Sequence, residues 1–235
     1  MQTLGIVGGV GPESTIDYYR SIIASYRRRT ADGTYPALLI NSIEATGLLR
    51  KLTAGENEAV TTVLVGAVRQ LERAGADVAL FASVSTHVAF DAVARQTSIP
   101  LVSIVEATCR AAQAAGRRRL GLFGTRMTME SAFFARPFTA ASIEIVVPEE
   151  DERAYIHETY FGELIHGTFL AETRARLEAI VAAMKARSKV NGLVLGGTEL
   201  PLIMRESTYS GIPVLDTTRI HVEAAVDRIF EERQR

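Results

Sequence analysis

Two stretches of the chain carry side chains able to handle protons or anions. Residues 83–87, Ser83-Val84-Ser85-Thr86-His87, put three hydroxyls and an imidazole in five consecutive positions. A serine acts as nucleophile or base only where a neighbour takes its proton, and His87 is the imidazole nearest in sequence. Residues 196–201, Gly196-Gly197-Thr198-Glu199-Leu200-Pro201, combine two glycines, a hydroxyl and a carboxylate. Two more loops are rich in small or hydroxyl residues: Gly8-Gly9-Val10-Gly11-Pro12-Glu13-Ser14-Thr15, and Thr125-Arg126-Met127-Thr128. Backbone N–H groups in such loops, and the helix N-termini that follow, favour a carboxylate. Nucleotide chemistry does not fit. A P-loop needs Gly-Lys-Ser/Thr, but Gly11 is followed by Pro12-Glu13; the dinucleotide fingerprint fits Gly9 and Gly11 and fails at Ser14. The flanks of Ser83 lack the G-x-S-x-G elbow of serine hydrolases. His157, His166 and His221 have no metal-ligand spacing, so no metal site is expected. The single cysteine, Cys109, lies among small apolar residues at helical spacing and is expected in the core, with no disulfide.

These loops follow short apolar runs at 4–8, 37–41, 78–82, 101–104, 120–124, 144–147, 193–195 and 214–215. Amphipathic segments at 14–29, 56–74, 105–115 and 171–187 lie between them. Buried strands alternating with helices predict mostly parallel sheets covered on both faces. Gly75, Gly116 and Gly192 are read as left-handed residues closing helices, and Ser14 or Thr15 as the cap of the first helix. An internal repeat is visible. Leu4-Gly5-Ile6-Val7-Gly8 recurs as Leu120-Gly121-Leu122-Phe123-Gly124, 116 residues on. Residues 78–83 align with 192–197 and 99–102 with 212–215, at offsets of 114 and 113. The expected fold is therefore two pseudo-symmetric Rossmann-like α/β domains, 1–103 plus 218–235 and 104–217, with the active-site cleft between them. Ligands of open parallel sheets lie beyond the carboxyl ends of the strands, where the four polar loops fall.

Composition narrows the partners. In 235 residues, 26 Lys+Arg balance 27 Asp+Glu, leaving no field to attract nucleic acid or an anionic membrane. The basic runs Arg27-Arg28-Arg29 and Arg117-Arg118-Arg119 sit near helix ends, where cations complement the dipole. No apolar stretch approaches the ~20 residues of a membrane span, and the N-terminus lacks a basic n-region, so a cytoplasmic protein is expected.

Laid side by side, the strand ends resemble those of the aspartate/glutamate racemase family, over essentially the full length. Residues 5–15 are similar to its opening glycine loop. Leu195-Gly196-Gly197-Thr198-Glu199-Leu200-Pro201 resembles its second signature, leucine-glycine-cysteine-threonine-glutamate-leucine-proline, and residues 82–87 fall on the first, proline-cysteine-asparagine-threonine-x-histidine. The resemblance implies cofactor-independent chemistry, with no pyridoxal phosphate, on an amino acid or small carboxylate, and allows a homodimer. Family enzymes use two opposed cysteines, one removing the α-proton and the other delivering one to the opposite face. Here those positions are Ser83 and Gly197. A two-thiol racemase is excluded by composition, and little or no racemisation of aspartate or glutamate is expected. The binding shell that the resemblance assigns comprises Gly9, Val84, Ser85, Thr125, Thr128 and Thr198, supported by His87 and Glu199. For a distal carboxylate the family's basic residues are unmatched: Arg50 is nearby but unaligned, and Ile165 stands where lysine is expected, beside His166. The expected activity is a divergent isomerase acting next to a carboxylate, with Ser83 and His87 or a water on one face. The alternatives are a carboxylate-binding protein without turnover, or a lyase or decarboxylase of the same superfamily.

Overall fold

The computed structural model describes residues 1–31 and 33–231 and divides into two compact units, Met1–Ile104 with the segment from Thr218, and Val105–Thr217. Residues 232–235, grouped with the first domain on sequence, lie outside the described residues.

The first unit runs β1 (Leu4–Gly8), α1 (Pro12–Arg29), β2 (Leu38–Ser42), α2 (Ala45–Thr53), α3 (Asn57–Arg73), β3 (Val78–Phe81), a 3-10 turn (Ser85–Ala89), α4 (Phe90–Ala94) and β4 (Leu101–Val102). Its four strands are parallel in the order β2-β1-β3-β4. β1 and β3 are buried along their whole lengths, which is why both read as unbroken apolar runs. α1 begins with Pro12 in its first turn and ends on three arginines. Its Tyr18, Ile22 and Tyr26, spaced four apart, lie on the sheet side of the helix, fully buried. On α3, Leu71 comes so close to β1 that a Cβ on Gly5 would lie 3.0 Å from its Cδ1; glycine permits that approach.

In the second unit come α5 (Ile104–Ala114), β5 (Arg119–Gly124), α6 (Arg126–Glu130), α7 (Ala132–Ala140), β6 (Glu144–Val146), α8 (Glu150–Gly162), a 3-10 turn (Leu164–His166), α9 (Ala171–Ser188), β7 (Gly192–Gly196), α10 (Leu200–Ile203), β8 (Thr208–Tyr209) and β9 (Ile212–Asp216). Its sheet order is β6-β5-β7-β9-β8, parallel except for β8. The internal repeat is reproduced in the ladders. Leu4 pairs with Val78 as Leu120 pairs with Gly192, and Ala79 with Leu101 as Leu193 with Val214. The last helix, α11 (Thr217–Phe230), packs with the first unit, where Val222, Val226 and Ile229 join Leu4, Leu80 and Tyr18 in one core cluster.

Several local readings are corrected. Gly192 does not close a helix. Lys189 takes the left-handed position after α9 (φ 53°), and Gly192 begins β7, where a Cβ would lie 2.5 Å from Leu120 Cδ2. Gly75 and Gly116 do have positive φ, 97° and 65°. No side chain caps α1 at Gly11; Thr15 instead turns back to the glycine loop. α8 and the two-residue β8 were not among the expected elements. Both basic runs are structural: Arg28 and Arg29 pair with Glu223 at 2.6 and 2.5 Å, and Arg119 pairs with Glu144 at 3.1 Å. Cys109 is buried, its Sγ 3.4 Å from the Pro137 carbonyl.

Candidate active site

Both sheets share the strand order of flavodoxin-like folds, in which the chain reverses direction between the first and third strands. The crevice beyond that reversal is the usual ligand position. In the first unit it is bounded by the ends of β1 and β3, in the second by those of β5 and β7. All the expected site residues lie at these two ends.

At the end of β1, Gly9 has φ +91°, and a Cβ there would lie 2.4 Å from the Ile43 carbonyl oxygen. Only glycine fits. Its N–H donates to Thr15 Oγ1 at 2.9 Å, while Ile43 N–H donates to the Gly8 carbonyl at 3.0 Å. The Gly9 N–H, expected to face a carboxylate, is thus engaged inside its own loop. The glycine fixes the turn.

After β3, Ser83 and Val84 are buried, and the 3-10 turn opens at Ser85. The Ser83 carbonyl accepts from Thr86 Oγ1 at 2.8 Å and from His87 Nδ1 at 2.9 Å. His87 Nε2 accepts from the Ile104 N–H at 3.1 Å, so the proton of the neutral ring is on Nδ1. The ring stacks on Phe90 with centroids 5.2 Å apart and meets the edge of His221 at 6.0 Å. His221 is held likewise: Tyr18 OH donates to Nδ1 at 2.8 Å, and Nε2 donates to the Val102 carbonyl at 2.9 Å. Burial, helped by the neighbouring His221, pushes His87 down to about 3; burial pushes His221 down to about 4. His87 therefore cannot be the base for Ser83, as its one lone pair is spent on the Ile104 N–H. No side chain hydrogen-bonds the Ser83 hydroxyl among the described residues. The service of His87 is positional, holding the β3 loop against the start of α5. Replacing it with alanine removes one of the two side-chain donors to the Ser83 carbonyl, the ring acceptor of the Ile104 N–H and the buried ring itself; the expected loss is about 2–4 kcal/mol, read as a lower urea midpoint.

At the second strand end, Thr125 caps the short α6 by accepting from the Thr128 N–H at 3.4 Å. The two threonine hydroxyls are 3.2 Å apart and both residues are buried. Beyond β7, Gly197 carries the decisive detail. A Cβ built on it would lie 2.5 Å from Tyr160 Cε2 and 3.1 Å from Tyr160 Oη. The space of the missing side chain is filled by a phenol from α8. Tyr160 OH donates a hydrogen bond to Glu199 Oε2, which also accepts from Thr198 Oγ1 at 3.0 Å. Burial, reinforced by the Glu199 charge, raises the Tyr160 phenol well above its ordinary value. Tyr160 had no signature in the sequence, because α8 shows no apolar stripe and lies far from Gly197 along the chain. The capping box joining Glu149 and Glu152 was the one legible sign of that helix.

Arg50 lies exposed on α2 and His166 exposed in the 3-10 turn after α8. Among the described residues no group of three His, Cys, Asp or Glu side chains could hold a metal ion, and no helix is long and apolar enough to cross a membrane.

The pattern of the Asp/Glu/Hydantoin racemase family matches residues 7–225. The chain belongs to that family. It is 21% identical to the broad specificity amino-acid racemase RacX of Bacillus subtilis, over 95% of this chain and 96% of the relative. The crystal structure of an aspartate racemase homologue from Pyrococcus horikoshii is 30% identical, with a TM-score of 0.84 over 98% of this chain and 100% of that one. The aspartate racemase of Picrophilus torridus, 18% identical, shares the fold with a TM-score of 0.78, over 97% of this chain and 94% of that one.

Proposed function

We propose that this protein is a divergent amino-acid isomerase that binds a small amino acid or related carboxylate and works at the carbon beside that carboxylate. It does so without a cofactor and without paired thiols. The carrying observation is the contrast at the two strand ends: the hydroxyls of Ser83, Ser85, Thr125, Thr128 and Thr198 are kept, while the thiol positions hold Ser83 and Gly197. Hydroxyl and N–H donors at strand ends suit a carboxylate and the enolate formed from it. Membership of the family supports that ligand class, and the lone buried Cys109 suits a reducing cytoplasm; a homodimer is proposed on family grounds alone.

A second reading, carboxylate binding without turnover, is favoured by one observation: His87 is spent on backbone groups, leaving Ser83 without a base. Calorimetric titration with the proteinogenic amino acids and small dicarboxylates tests what the two readings share. At least one ligand should bind, and Thr125→Val should weaken it about tenfold, the loss of one hydrogen bond to a charged group. No binding across the panel would sink both.

A further inference from the structure

The place of the second thiol is occupied, and by a group with chemistry of its own. We infer that Tyr160 and Glu199 form the proton-transfer pair that this protein uses in place of that thiol, acting on the α-carbon of a bound amino acid; this rests on the function proposed above.

Three observations meet at one point. Tyr160 Oη lies 3.1 Å from where a Gly197 Cβ would stand, next to the position of the family's thiol. The phenol is hydrogen-bonded to a carboxylate oxygen of Glu199, itself nearly without solvent contact. Thr198, adjacent in sequence, fixes the same oxygen at 3.0 Å. A free surface tyrosine has no such acceptor waiting for its proton.

The step balances with these groups alone. The Cα–H bond breaks, and its proton forms a new O–H bond at Tyr160 Oη. The phenol's original proton passes along the existing hydrogen bond to Glu199 Oε2. The electron pair stays on the ligand as an enolate, so the negative charge moves from Glu199 to the ligand and the total is unchanged. Reversal returns a proton from Tyr160 to the same face of the carbon. The phenol is never released as a free phenolate, in keeping with the burial and Glu199 charge that hold it protonated. This pair serves one face of the carbon: by itself it exchanges the proton with retention, and isomerisation follows when a water delivers the proton to the opposite face. Two opposed thiols, by contrast, invert the configuration.

The experiment is proton NMR in deuterated water with both enantiomers of the proteinogenic amino acids, each sample then checked for optical purity. The expected result is loss of the α-proton signal of at least one amino acid, faster than any change in its configuration. Tyr160→Phe keeps the ring against Gly197, and Glu199→Gln keeps the side-chain shape. Each should slow exchange roughly 100-fold or more, the worth of a positioned acid/base, while calorimetric affinity holds within a few-fold. Tyr155→Phe, a different tyrosine of α8, should change neither quantity. Undiminished exchange in folded Tyr160→Phe overturns the assignment and leaves the proposed function standing. Binding with no exchange by the unmodified protein also overturns it, and selects the reading without turnover.

Discussion

Restoring both thiols should fail unless Tyr160 is removed as well. In the Ser83→Cys, Gly197→Cys double variant, the new Cβ at 197 falls 2.5 Å from a ring carbon of Tyr160, closer than real Cβ contacts allow. The ring cannot swing aside freely, because its hydroxyl is bonded to buried Glu199. Overpacking costs about 1–3 kcal/mol, and breaking a hydrogen bond to a buried carboxylate adds about 1.5–3 kcal/mol. The double variant should therefore melt roughly 10 °C lower, at about 2–4 °C per kcal/mol for a chain of this size, and gain no racemisation. Adding Tyr160→Ala vacates the space. The triple variant should recover part of the lost stability and racemise at least one amino acid about 100-fold faster than the unmodified protein. Melting curves and chiral chromatography read both effects. A double variant of unchanged stability that already racemises would show that Tyr160 does not fill the thiol position.

Acid should unfold the first unit through its two buried imidazoles. Both are pushed down when folded, to about 3 for His87 and about 4 for His221, against roughly 6.5 in an unfolded chain. Above about pH 6.5 neither state carries the extra protons, and the full stability is present. Below it the unfolded chain takes up a proton at each site while the folded protein does not, so stability falls as pH falls. Two such sites give a limiting slope of about 2.7 kcal/mol per pH unit, and a loss on the order of 5 kcal/mol by pH 4.5. Urea midpoints at pH 7.5, 6.5, 5.5 and 4.5 measure it. His221→Gln, which has no proton to gain, should remove about half of the slope whatever it costs at pH 7.5. A stability profile flat from pH 7 to 4.5 would contradict the buried, neutral assignment of both rings.

The same chemistry explains what could be read in the sequence. β1, β3, β5 and β7 are buried on both faces, so each appears as an apolar run, and the small polar residues that follow mark where each run ends. That pattern alone places Ser83, Thr125 and Thr198 at strand ends, and the offsets of the repeat reappear as ladder register. What escaped depends on groups distant along the chain. α8 opens with Glu150, Asp151 and Glu152 and buries only Ile156, Thr159 and Tyr160, so no stripe marks it as a helix, and nothing near Gly197 points to a phenol. The sequence suggests conformational freedom as the use of Gly192, whereas its lack of a Cβ is what β7 uses against Leu120. His87 looked like a partner for the Ser83 hydroxyl because the two lie four residues apart. In the turn that spacing brings the ring to the Ser83 carbonyl instead.

The central expectation is that the two-thiol reaction is lost while the family's fold remains. It is tested by incubating the unmodified protein with L-aspartate and L-glutamate and following the D-enantiomers by chiral-phase chromatography. The expected result is no D-enantiomer above the protein-free control, from a chain that melts cooperatively. Sustained racemisation of either amino acid, abolished by Ser83→Ala, would contradict the account and make the serine hydroxyl a competent base on its own.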